Sequence, residues 1–109
     1  MKDKEIIEGR NTAIIGYLTI VGSLIGIFMN MEPKNAFARF HLRQAFGIHL
    51  VYHALAIVLT FTGFNLGWLP LFIVYLMLWG YCFLQAIKGQ IKALPVLGTY
   101  FQNWFTFIP

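Results

Sequence analysis

After Gln44 the chain carries no Asp, Glu, Lys or Arg until Lys88. An uncharged run of that length has few ways to fold. A helix rises 1.5 Å per residue and the hydrocarbon layer of a bilayer is about 30 Å thick, so roughly 20 apolar residues cross it. The run is long enough to cross twice. Gly63-Phe64-Asn65-Leu66-Gly67 supplies turn chemistry in its middle. Spans over 45–62 and 69–87 are therefore expected as an antiparallel hairpin. Trp68 stands where an interfacial ring is expected, and Pro70 falls in the first turn of the second span.

Composition agrees with lipid as the solvent. Of 109 residues, 59% are hydrophobic and 11% charged, where a soluble domain carries about 25% charged residues. The length suits one domain. The net charge is +4, but the basic residues are spread over three segments and form no single stripe. Anionic headgroups fit this pattern and nucleic acid does not. The single cysteine, Cys82, excludes an internal disulfide.

A third apolar run, Thr12 to Met31, is uncharged and reads as the first span, 12–31. The segment before it mixes acids and bases, and the run itself is long and lacks a convincing small-residue cleavage site, so a retained helix is expected rather than a signal peptide. Gly16, Gly22 and Gly26 fall near one helical face together with Thr19 and Ser23. Small residues at such spacing suit close packing, either between copies or against another helix of the same chain. Asn30-Met31-Glu32-Pro33 ends this run, and Pro33 suits the opening of the next helix.

Residues 34–44 form a basic amphipathic elbow at the interface, with Gly47 as a candidate bend. At the other end, residues 95–107 are aromatic and too short to span. They read as an interfacial segment packed against the elbow, after a kink at Pro95-Val96-Leu97-Gly98. With three spans, Lys2, Lys4 and Arg10 share one face with the Gly63–Gly67 turn. Lys34, Arg39, Arg43, Lys88 and Lys92 share the other. The larger basic count marks that second face as cytoplasmic, which puts the N-terminus outside.

His49 and His53 stand one helical turn apart, on a stripe with Ala45, Ala56 and Thr60. Hydrogen bonding between helices, proton handling along a polar path, and metal binding all use this spacing. The missing third and fourth ligands count against a metal, and no metal or other cofactor is expected. Arg39 and Arg43 are also one turn apart. They suit a clamp on lipid phosphate or a partner's acidic segment, or ordinary anchoring by snorkelling side chains. No nucleophile–base pair, phosphate loop or carboxylate pair is visible, so an enzyme is not expected.

Residues 36–47, AFARFHLRQAFG, open a membrane helix just after an Asn/Pro/Lys break. This pattern resembles the small bacterial membrane proteins related to the chloroplast Tic-twenty import component. Pro95-Val96-Leu97-Gly98, followed by Phe101-Gln102 and Trp104-Phe105, extends the resemblance over most of the chain. The resemblance implies a membrane component of a protein-import apparatus. Arg39, His41, Arg43 and Gln44 are its motif positions, with no catalytic role attached. The plant relatives have four helices, whereas this chain shows three clear spans.

The expected protein is thus an all-α membrane bundle of about three transmembrane helices, with a basic elbow and an aromatic interfacial segment. It is expected in a bacterial inner membrane. Its expected partners are the bilayer and either further copies of itself or a larger membrane complex. The leading function is a non-enzymatic component of translocation or membrane assembly. The alternatives are an oligomeric channel with a His-lined path and a lipid-interacting structural protein.

Overall fold

The computed structural model describes residues 3–94 and 97–109. Lys2 and the expected kink residues Pro95 and Val96 lie outside the described residues. Those described fold as five α-helices: α1 (Asp3–Leu18), α2 (Ile20–Met29), α3 (Ala36–Thr62), α4 (Trp68–Ile87) and α5 (Leu97–Trp104). A short 3-10 turn, Asn65–Gly67, joins α3 to α4. Two of the elements, α3 and α4 with its preceding turn, are long and apolar enough to cross a membrane.

The single helix expected over 12–31 is broken at Thr19. Thr19 adopts an extended backbone, and its side chain caps α2 by accepting from the Gly22 N–H at 3.0 Å. The chain then folds back on itself. The Ser23 hydroxyl donates to the Gly16 carbonyl at 2.6 Å. Any Cβ on Gly22 would collide with the Ile15 carbonyl, and one on Gly26 would come within 3.3 Å of the Thr12 carbonyl. The small-residue face therefore packs α1 against α2 within one chain. At 1.5 Å per residue α2 is only about 15 Å long, half of what a crossing needs.

This break overturns the expected division of charge between two faces. The Asn35 side chain donates to the Glu5 carbonyl at 2.9 Å, and Gly9 leaves room for that same side chain. Ile6 and Arg10 flank Gly89, just beyond the end of α4. The start of α1 therefore sits beside the elbow and beside the exit of α4. Every described charged residue lies at this end, and the turn at the far end, Gly63–Gly67, has none. The physical reason is that a run folded in half returns to its starting side.

The elbow begins slightly later than expected. Lys34 takes a left-handed φ of 48°, and Asn35 caps α3 by accepting from the Ala38 N–H at 3.0 Å. Pro33 therefore lies in the turn before Asn35 and does not open the helix. Helix α3 then runs unbroken through Gly47. The missing side chain of Gly47 makes room for a ring, because a Cβ there would lie 2.5–2.7 Å from Phe101.

The core occupies one half of the molecule. On α3 the buried residues run from Phe37 to His49 and stop, and on α4 only Cys82 and Ala86 are buried. Tyr17, Phe37, Ala45, Ile48, Cys82, Ala86 and Phe101 form the main cluster. Beyond it, the second half of α3 and the first half of α4 stand as a bare two-helix prong. Phe61 is 86% exposed, Leu66 81% and Met77 68%. Stacked Tyr52 and Tyr75 rings, 4.1 Å apart, hold the prong together at its base.

The contact between α1 and α2 yields the first prediction. Gly22→Ala forces backbone apart, and overpacking of this kind costs about 1–3 kcal/mol. Gly80→Ala meets nothing within 4 Å, and in a helix alanine is favoured over glycine. Thermal unfolding in detergent is expected to show a lowered Tm for the first and an unchanged or raised Tm for the second.

Candidate functional site: a polar clamp on the carboxyl-terminal segment

After α4 the chain leaves helical geometry. Gly89, at φ 73°, ends the helix, with the Gly89 N–H bonded to the Ala86 carbonyl and the Gln90 N–H to the Gln85 carbonyl. Residues 90–94 then run without regular structure along α3. Their backbone groups need partners from elsewhere. Two side chains of α3, His41 and Gln44, supply partners at Gln90 and Leu94.

His41 is fully buried. Its Nε2 lies 2.8 Å from the Gln90 carbonyl oxygen, and its Nδ1 lies 2.7 Å from the Tyr17 hydroxyl. A carbonyl only accepts, so Nε2 carries the hydrogen and Nδ1 accepts from Tyr17. The rings of Phe37, Phe40 and Tyr17 meet the imidazole edge-on at 4.7, 5.2 and 5.5 Å. Gln44, also fully buried, accepts from the Leu94 N–H at 2.8 Å and donates to Cys82 Sγ at 3.6 Å.

Arg43 holds the last part of the chain. Its guanidinium donates to the carbonyls of Gln102 at 3.5 Å, Thr106 at 3.4 Å and Ile108 at 3.2 Å. These carbonyls lie at and beyond the C-terminal end of α5, where a cation complements the helix dipole. Gln102 donates back to the Phe40 carbonyl at 2.8 Å, and Asn30 donates to the Pro109 carbonyl at 2.9 Å. Phe105 and Phe107 meet Phe46 edge-on at 5.1 and 6.1 Å. The aromatic segment packs on the basic part of α3, as expected from sequence.

The motif positions thus divide. His41, Arg43 and Gln44 are brought together on one task, gripping residues 90–109. Arg39 is not part of it. Its guanidinium donates to the Lys34 carbonyl at 3.0 Å near the surface. The two arginines therefore do not close on a shared ligand, since the Arg43 donors point at its own chain.

His49 and His53 are not brought together either. His49 is fully buried, and its Nδ1 lies 2.8 Å from the Tyr75 hydroxyl. His53 is exposed on the prong, with its ring edge-on to Tyr52 at 5.4 Å. Among the described residues no three His, Cys, Asp or Glu side chains converge. Ala45 and His49, in the upper part of the stripe, are buried, while Thr60 in the lower part is exposed.

Several participants escape sequence reasoning. Tyr17 and Asn30 sit in and after an apolar run and look unremarkable there. Trp79 donates its indole N–H to the Tyr17 carbonyl, a partner 62 positions away. Tyr75 and Trp79 read as packing rings, and their polar atoms matter only once α1 and α3 are in place. Asn30 alone has a local signal, since it lies in the break between two apolar runs.

No protein-family model, curated protein or solved structure matches this chain.

The clamp predicts a graded loss. Gln44→Leu strands the buried Leu94 N–H, and an unpaired buried group costs about 1–3 kcal/mol. Arg43→Ala frees three carbonyls near the surface and is expected to release the terminal segment with the core intact. Limited proteolysis in detergent checks both: Arg43→Ala raises cleavage after residue 97 severalfold, and Arg43→Lys does not restore protection, because a single ammonium lacks the guanidinium's spread of donors.

Proposed function

We propose that this chain is a non-enzymatic integral membrane protein and serves as a subunit of a larger membrane assembly. The observation that carries this reading is the bare prong. From Leu50 to Tyr81 no residue is buried and none is charged. The core helix of a soluble protein is buried instead, and large apolar surfaces mark contact with lipid or protein. Lipid around two spanning helices, α3 and α4, accounts for this exposure. In this arrangement α1 and α2 form a hairpin that enters from the charged side and returns to it. The clamp of His41 and Gln44 pairs the Gln90 carbonyl and the Leu94 N–H of the irregular segment after α4.

The collection of all described lysines and arginines at one end supports that end as cytoplasmic. The resemblance of residues 36–47 to small bacterial relatives of the chloroplast import component suggests an inner-membrane translocation or assembly complex. A path lined by His49 and His53 is the weaker reading, because one ring is buried against Tyr75 and the other faces outward. Lys34 and Arg39 are placed to meet lipid headgroups, an accessory role that fits either function.

Single cysteines at positions 5, 34 and 65, in a Cys82→Ala background, test the membrane arrangement. The protein is expected to resist carbonate extraction. Positions 5 and 34 are expected to react with an impermeant thiol reagent from the same side, and position 65 only from the other. Labelling of 5 and 34 from opposite sides would overturn the re-entrant hairpin.

A further inference from the structure

His53 is the one histidine that the fold leaves exposed. It stands on α3 about 21 Å beyond Arg39 and about 15 Å before Gly63, measured at 1.5 Å per residue. Both helices of the prong are apolar at this level. Among the described residues the imidazole makes no hydrogen bond, and its ring stands edge-on to that of its chain neighbour Tyr52, at 5.4 Å. Ionisable side chains at membrane depth face protein or water and pair with something there. Above it on the same face, Gly16 of α1 lies against Ala45. Below that point α1 has ended at Leu18 and the chain has turned back at Thr19. Of the rest of the stripe, Ala56 is half-buried, and His53 and Thr60, with Ile57 beside them, are exposed. Ile57 is 56% exposed.

We propose that this face is an interface between two copies of the chain within the membrane, with the His53 imidazoles hydrogen-bonded across a two-fold axis. The inference rests on the membrane-subunit reading above and names its first partner. Two features select a second copy. A neutral imidazole is both donor and acceptor, so it complements itself, as a lysine or a carboxylate does not. And the one-sided charge sets a single orientation, so every copy carries His53 at the same depth. A two-fold axis along the membrane normal then brings like to like, as an isologous interface requires. The apolar groove on the opposite side of α3, lined by Val51, Leu55, Leu71 and Val74 among others, is left facing lipid.

The test uses the full chain in native membranes, with Cys82→Ala and single cysteines that leave His53 in place. Oxidation is expected to give dimers of doubled mass from Ile57→Cys and Thr60→Cys, and not from Val51→Cys or Leu55→Cys. In lipid vesicles, association read by energy transfer between labelled copies is expected to weaken about threefold to thirtyfold for His53→Phe, the range of one interhelical hydrogen bond. His53→Gln keeps a donor and an acceptor and is expected to hold near the parent value. Absence of dimers from 57 and 60, or equal dimers from 51 and 55, overturns the proposal. So does equal behaviour of the Phe and Gln variants. A crosslink from 57 to a protein of different mass also overturns it while leaving the assembly reading standing. Extraction of the protein by carbonate removes both.

Discussion

Everything in the packed half of this protein depends on one constraint. A helix that stops inside an apolar region leaves carbonyl and N–H groups that water cannot reach, and each must find a partner in the protein. Two helix ends show such pairing, those of α1 at Leu18 and of α4 at Ile87. At the first stop, the Gly16 carbonyl takes the Ser23 hydroxyl and the Tyr17 carbonyl takes the Trp79 indole N–H. At the second, His41 and Gln44 take the Gln90 carbonyl and the Leu94 N–H. Polar side chains occur inside the core at the places where backbone has been left short.

Tyr17 ties the two stops together. Its carbonyl is satisfied from α4 and its hydroxyl completes the hydrogen-bond set of His41 on α3. Displacing α1 would leave both the Trp79 indole and His41 Nδ1 without partners, at separate places. The packed half therefore behaves as one unit, and the prong beyond it contributes apolar surface without polar ties. This division also explains the shape, 47 Å long and 23 by 22 Å across: a thick end where five helices meet and a thin end where two continue.

Much of this was readable from residue order. The uncharged run with Gly63 and Gly67 at its centre specified the α3–α4 hairpin, and the density of rings after Thr99 specified a segment that packs on the elbow. The break at Thr19 was not readable as a break. Its apolar flanks continue on both sides, and the local cue, a threonine three residues before Gly22, is weak beside that continuity. Besides the Thr19 cap and the Ser23 hydroxyl, the break is held by a tryptophan 60 residues away, and local patterns carry no trace of that contact. The placement of α1 follows directly, since a run folded back at Thr19 brings the start of α1 beside Asn35 and Gly89. The site was half legible. Arg39, His41, Arg43 and Gln44 stood out as a group, but their targets are backbone atoms, and backbone atoms have no sequence signature.

Each residue type matches a different backbone demand. His41 must donate from one nitrogen and accept at the other; an imidazole does both within one rigid ring. Gln44 must accept from an N–H while offering a donor toward Cys82. Arg43 must reach carbonyls spread over seven residues, from Gln102 to Ile108, which takes several donors on one planar group. Both His41 nitrogens are already engaged, so the imidazole has nothing left with which to bind a substrate. His41, Arg43 and Gln44 are spent on this chain's own backbone, and Arg39 stays outside that task near the surface. The surfaces that this packing leaves open are the basic rim at one end and the uncovered prong at the other.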